Sequence, residues 1–318
     1  MRELQLESLA ALAQPLRGLR VLLIGLSGAG FPGGDGAREA AEALPKVGVE
    51  VEYSHARDTA LGRVLAQRYD VAIVTNTRIG ELLQLDRRLW TCGERTVLWF
   101  WDLRPGSTAA PLRGRVGHVF LSFNGCWLAP DGTVYDPADW ASEFACPVGY
   151  APQASPLREP AAMADAPRLV FVGDTANQTY HVGRADLCRM LGARVINARQ
   201  RDKRLEIEAS LPALYSSARY VLSTSPLAPG YTSVRTYSIL ACGGLMLLQR
   251  FPGCEDLFTD GEHAVLFDTA DELDLKLARL DADAVERQRI AANGRRLHAT
   301  QHTVAHRVLS ICRQVLSC

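Results

Sequence analysis

"RYVLSTSPLAPGYTSVRTYSILACGGLMLLQ", residues 219–249, is the stretch on which the fold turns. RYVLSTS reads as a short buried strand, TSVRTYSILACG as an amphipathic helix and LMLLQ as a second buried strand. A strand, a helix and a strand in direct succession form a crossover between parallel strands. The residues inside the unit are chosen further. Gly230 supplies a turn, and Thr232 or Ser233 stands where a hydroxyl caps a helix start. Arg235 lies on the first turn, and Gly243-Gly244 ends the helix. First-turn amides, the helix dipole and a guanidinium fork together suit a phosphate. The other reading, an ordinary capped helix with an exposed arginine, stays open at this point.

The same alternation extends on both sides. Before it, strands are read at 19–25, 49–54, 70–76, 94–102 and 118–124, with helices over 36–48 and TALGRVLAQRY, 59–69. Nearer, RLVFVGD (168–174) and ARVINA are strands, with helices at GRADLCRMLG (183–192) and IEASLPALYSSA. Beyond it come the strand AVLFDT, the helix ADELDLKLARL and two closing helices, ADAVERQRIAANGRRLHATQ and HTVAHRVLSICRQVLS. The segment 147–168, rich in proline and alanine, reads as a linker. The expectation is α/β, with two doubly wound Rossmann-like domains at 1–155 and 156–318 and the last helix free to pack back on the first. Such folds bind ligands at the carboxyl ends of the strands, here in a cleft between the domains.

Composition narrows the function classes. The 318 residues carry a formal net charge of +0, which gives no reason to expect nucleic acid as a partner. Hydrophobic residues make up 47% of the chain, enough for sizeable cores. The 8 cysteines include no C-x-x-C and lie among apolar neighbours, so they read as reduced thiols in a cytoplasmic protein. The first eighteen residues read as an amphipathic helix rather than a signal peptide. No apolar run approaches the roughly 20 residues of a membrane span, which leaves peripheral contact with the inner membrane face as the closest approach to lipid.

Other patterns compete for chemistry. Gly28-x-Gly30-x-x-Gly33 follows the first strand as in a dinucleotide fold, but Pro32 stands where the helix should begin, so the helix is expected after the motif. Asp35 then reads as a helix cap, with a role at the reaction centre as the alternative. Ser27 lacks the second glycine of an esterase elbow, a place taken by Ala29. Asp281-Ala-Asp283 has the form of a metal-holding D-x-D but reads as the charged start of a helix. His298, His302 and His306 recur at helical spacing and read as a partly exposed helix face. No metal and no cofactor are expected.

From Arg235 onward the chain resembles the C-terminal domain of GT-B glycosyltransferases, in the CgeB-like and group 1 branch. The resemblance rests on Arg235, Ala241-Cys242-Gly243-Gly244, Pro252-Gly253, Glu255 and Phe258 in order, with FVGD (171–174) and Arg184 opening the domain. TVLWFWD (96–102) and PVGYAPQASP (147–156) resemble the late N-domain strand and the interdomain crossing. It is strongest over 166–300. It implies metal-independent glycosyl transfer from a nucleotide-sugar donor to a glycan, lipid-linked or protein acceptor. The donor is expected on Arg184, Tyr231, Thr232, Ser233, Arg235, Ser238 and Glu255. The base that inversion requires is expected from Asp102 first, then Asp35 and His55. One departure is consequential: the family's ribose-binding acid falls at 238, where this chain has serine. A non-catalytic GT-B protein that binds a nucleotide, glycan or partner is the alternative.

Overall fold

The structure, a computed structural model, describes residues 1–25, 32–55, 68–75, 95–103, 112–176, 183–197 and 204–317. The chain divides into two compact units. One comprises Met1–Leu128, Thr133–Pro156 and Thr300–Cys318, the other Ala129–Gly132 and Leu157–Ala299.

The first unit is built on six parallel strands: β1 (Arg20–Gly25), β2 (Glu50–His55), β3 (Val71–Thr75), β4 (Thr96–Phe100), β5 (His118–Leu121) and β8 (Val148–Tyr150), in the order β2-β1-β3-β4-β5-β8. β3 and β4 are buried at every position, as strands covered on both faces must be. The helices of this unit are α1 (Arg2–Ala13), α2 (Pro32–Ala43), α3 (Pro137–Phe144) and α9 (Val304–Leu316). Gly36 of α2 lets α9 approach closely, since a Cβ there would meet Val304 Cγ2 at 2.4 Å. A two-stranded antiparallel hairpin, β6 (Trp127–Leu128) and β7 (Val134–Tyr135), precedes α3.

The second unit repeats the plan with β9 (Leu169–Val172), β10 (Arg194–Ile196), β11 (Tyr220–Ser223), β12 (Met246–Gln249) and β13 (Val265–Phe267), ordered β10-β9-β11-β12-β13. All pairings are parallel. Its helices are α4 (Arg184–Met190), α5 (Arg204–Ser217), α6 (Val234–Ala241), α7 (Ala270–Ala282) and α8 (Ala284–Gln301). Strand order reverses between β9 and β11, where an open sheet parts its loops and leaves a crevice. Residues 219–249 form the expected crossover β11–α6–β12. α6 ends in a Schellman motif: Gly243, at φ 77, donates to Leu240 O, and Gly244 donates to Ile239 O. Gly244 is needed for a different reason, because a Cβ would meet Tyr215 O at 2.8 Å.

The structure corrects several expectations. The segment read as a linker begins with a strand, since Val148–Tyr150 pairs with β5 and Gly149 lies under the Phe120 ring. α2 starts at Pro32, inside the glycine motif, because proline is compatible with the first turn of a helix. Asp35 is therefore inside α2 and not its cap. Asp281 sits in the last turn of α7, paired with Arg168 at 2.7 Å and Arg219 at 3.1 Å. These partners hold its carboxyl down at about 2, with the Arg168 hydrogen bond first among the causes. Asp283 alone stands at a helix start, accepting from Glu286 N at 2.9 Å. The D-x-D is thus divided between two structural tasks. His298, His302 and His306 are buried and do not share one helix, for His302 lies between α8 and α9. Of the helix read at 59–69, all but the last two residues lie outside the described residues, as do Ser27 and the first part of the glycine motif. Six cysteines, Cys126, Cys146, Cys188, Cys242, Cys254 and Cys312, are free. Among the described residues no helix is long and apolar enough to cross a membrane.

Candidate functional site

The carboxyl ends of β9 and β11 expose the carbonyls of Val172 and Thr224, and two arginines converge on them. Arg235, from the first turn of α6, donates to Val172 O at 3.1 Å and also to Thr224 O. Arg184, at the start of α4, donates to Thr224 Oγ1 at 2.8 Å, to Thr224 O at 3.1 Å and to Asp174 O at 3.0 Å. Both guanidiniums lie against the Phe171 ring, at 4.6 Å for Arg235 and 5.4 Å for Arg184. Burial, and next the charge of Arg235, push Arg184 down to about 9. Burial also lowers Arg235. Both stay cationic at neutral pH. No carboxylate among the described residues forms an ion pair with Arg235. Two like charges sharing one carbonyl form an arrangement that a bound anion would relieve.

The hydroxyls do not behave as expected. Ser233 occupies the cap position of α6, but no side-chain capping bond is made. Instead Ser233 N donates to Ser225 Oγ at 3.2 Å. Thr232 Oγ1 and Ser233 Oγ are buried without a hydrogen-bond partner among the described residues, a state typical of polar groups that await a partner. Tyr231 is buried beside both arginines and acts on each electrostatically. Arg235 is thus neither an exposed surface charge nor a cap; it is folded inward against the switch point.

Ser238 follows one turn later on α6, 5% exposed, and no acid stands anywhere on this helix. Glu255 is exposed, 3.4 Å from Arg250 Nε, and accepts from Cys254 Sγ at 3.1 Å. Its turn is tied to the α6 entry, since Gly230 N donates to Pro252 O at 2.8 Å. In the first unit, Asp102 is exposed just past β4. The backbone before it is fixed, because Trp101 O accepts from Ser122 Oγ at 2.9 Å and from Gln153 Nε2. His55 is the last residue of β2 and Asp35 lies in α2, but their side chains fall outside the described residues. Two contributors, Thr224 and Ser225, went unnoticed in the sequence, and Phe171 was seen only as part of FVGD, with no role of its own. The one visible signal was the hydroxyl run Ser223-Thr224-Ser225 at the end of a strand, where a purely apolar stop would have sufficed.

Residues 168–313 match the family described as glycosyl transferase-like. The fold is that of GT-B glycosyltransferases, and the glycosyl transferase-like match falls mainly on its second unit. Among solved structures, Anabaena Alr3699/HepE in complex with UDP and glucose matches with a TM-score of 0.57 at 13% identity, covering 94% of this chain and 100% of that one. The same protein in complex with UDP-glucose matches with a TM-score of 0.57 at 11% identity, over 94% of this chain and 100% of that one. Sucrose-phosphate synthase from Thermosynechococcus elongatus matches with a TM-score of 0.56 at 13% identity, over 94% and 99%. At these identities the likeness speaks for the fold. No curated protein matches the chain in sequence.

Proposed function

We propose that this chain transfers a glycosyl group from a nucleoside-diphosphate sugar to an acceptor hydroxyl, without a divalent metal. The observation that carries the reading is the convergence of Arg184 and Arg235 at the β9/β11 switch point, beside the unpartnered hydroxyls of Thr232 and Ser233. In transfer, the bond between the anomeric carbon and the diphosphate oxygen breaks while an acceptor oxygen bonds to that carbon. The electron pair leaves with the diphosphate. Two guanidiniums and the positive end of α6 meet that charge as it develops, which is where electrostatic stabilisation lowers a barrier most. The acceptor proton goes to a base of the first unit; Asp102, exposed at the end of β4, is ranked ahead of His55 and Asp35. Tyr231 and Ser238 are assigned to the nucleotide, and Glu255 to the ribose or sugar. Capture of UDP and UDP-glucose by the Anabaena protein supports a uridine donor here.

The test is calorimetry on wild type and Arg235→Ala with UDP and with uridine. A charge-assisted hydrogen bond contributes about 1.5–3 kcal/mol, so UDP affinity should fall roughly tenfold or more while uridine affinity holds. Equal losses for both ligands would remove the phosphate assignment. A second reading, a GT-B protein that binds without catalysis, is favoured by one feature: Ser238 stands on a helix that carries no acid. Turnover of UDP-glucose in a hydrolysis assay separates the two.

A further inference from the structure

The second unit has another basic recess, at the opposite ends of the same strands. A groove of about 460 Å³ is lined by Arg219, Arg287 and Arg295, with Gln288, Ala292 and Leu245 between them, and no carboxylate lines it. Arg219 immediately precedes β11, and Leu245 immediately precedes β12, so the groove lies at the amino ends of strands whose carboxyl ends carry Thr224 and its two arginines. Gly243, just past the carboxyl end of α6, lines it too. A Cβ there would meet Arg295 Cδ at 3.3 Å.

The arginines are only partly neutralised. Asp281 is shared between Arg219 and Arg168, at 3.1 and 2.7 Å. Arg295 meets Glu159 at 3.0 Å, yet its Nε is buried with no partner. Among the described residues the Arg287 guanidinium donates to carbonyls, those of Leu280 and Asp281. Arg219, Arg287 and Arg295 line the groove, and Arg168 draws on Asp281 as well, so among the described residues the groove stays positive. Apolar side chains along its wall favour an organic body over a bare ion.

We propose that this groove binds a phosphate monoester on an organic body, at a site separate from the donor pocket. Guanidinium forks grip the phosphate oxygens, and the apolar wall receives the rest. α6 runs from the donor-side arginine to the groove-side glycine. The phosphate monoester can come from a soluble sugar phosphate or from a phosphatidic acid headgroup.

Gln288 permits a test that removes no structural arginine. Gln288→Glu puts a carboxylate into the groove, and Gln288→Lys serves as the charge-matched control. Thermal shift and calorimetry with glucose 6-phosphate are run on wild type, both variants and Arg235→Ala. Co-sedimentation with phosphatidylcholine vesicles, with and without phosphatidic acid, is run in parallel. The expected result is binding that weakens at least about tenfold in Gln288→Glu, from like-charge repulsion, and persists in Gln288→Lys and Arg235→Ala. Loss in the soluble arm identifies a metabolite site, and loss only in the vesicle arm identifies a lipid headgroup. Binding unchanged in Gln288→Glu, binding abolished by Arg235→Ala, or no binding in either arm would overturn the proposal. Circular dichroism melts of each variant establish that the fold is intact.

Discussion

Gly294 shows how a single residue can oppose a local preference. It lies inside α8, where alanine is the better helix former by about 1 kcal/mol. Yet a Cβ there would meet His263 O at 2.5 Å and Leu240 Cδ2 at 2.8 Å. A backbone carbonyl cannot step aside as a side chain can, and overpacking costs about 1–3 kcal/mol. Gly294→Ala should therefore destabilise the second unit, read as a lower urea midpoint at unchanged slope; a raised midpoint would show that the contact relaxes freely. Ser238 raises a different question. It sits one turn beyond Arg235, which no carboxylate now pairs among the described residues. In Ser238→Glu the new acid would compete with a diphosphate for that guanidinium, so UDP binding should weaken in calorimetry. A clear gain in affinity would instead mark the native chain as a decayed binder. The glycines of this crossover were legible because glycine is spelled where backbone geometry needs it. Phe171 and Thr224 were not, because their role comes from packing against Arg235, a residue that reaches a carbonyl 63 positions away.

α9 illustrates what an element gains from a buried neutral base. Ser8 Oγ donates to Gln5 O at 2.9 Å, so His306 Nε2, 2.9 Å from the same oxygen, must carry the proton and donate. His306 Nδ1 then accepts from Thr303 Oγ1 at 2.7 Å. Burial, with Arg307 adding to it, pushes this imidazole down to about 3 from the ordinary 6.5. Between those values the unfolded chain takes up a proton that the folded chain refuses. Stability conferred by neutral His306 is therefore complete above about pH 6.5 and is lost as pH falls towards 3, by up to about 1.4 kcal/mol per pH unit. Chemical denaturation across pH 4–7 should show this slope in wild type and a shallower one in His306→Gln; equal slopes would remove His306 from the account. Long apolar strands and helices were legible from their periods. The two-residue strands β6 and β7 carry too few positions to show alternation, and β8 hides inside a proline-rich run. The three histidines misled because their spacing continues through His302, where the helix itself stops.

At the scale of the molecule, two parallel sheets share the same strand reversal, and parallel sheets followed from the alternation of strands and helices. Residues 300–318 belong to the first unit, the packing that the sequence reading allowed for the last helix, which is buried along most of its length. The charge distribution bears on the last prediction. A chain with a net charge of +0 has no general field for a polyanion, so a diphosphate must be held by local charge. In the proposed assignment Arg184, Arg235 and the start of α6 supply it, amounting to about two and a half positive charges when the helix end counts as half. A departing nucleoside diphosphate carries somewhat more negative charge than that, so most of it would be met without a divalent cation. The Asp281-Ala-Asp283 pattern is already committed, with Asp281 held between Arg168 and Arg219 and Asp283 engaged by Glu286 N. Freeing Asp281 for a metal would leave two arginines without their shared carboxylate, a loss no single site would recover cheaply. Turnover of UDP-glucose should consequently be the same before and after dialysis against EDTA. Activity lost in chelator and restored by manganese or magnesium would overturn the metal-free mechanism and point to acids outside the described residues as the ligands.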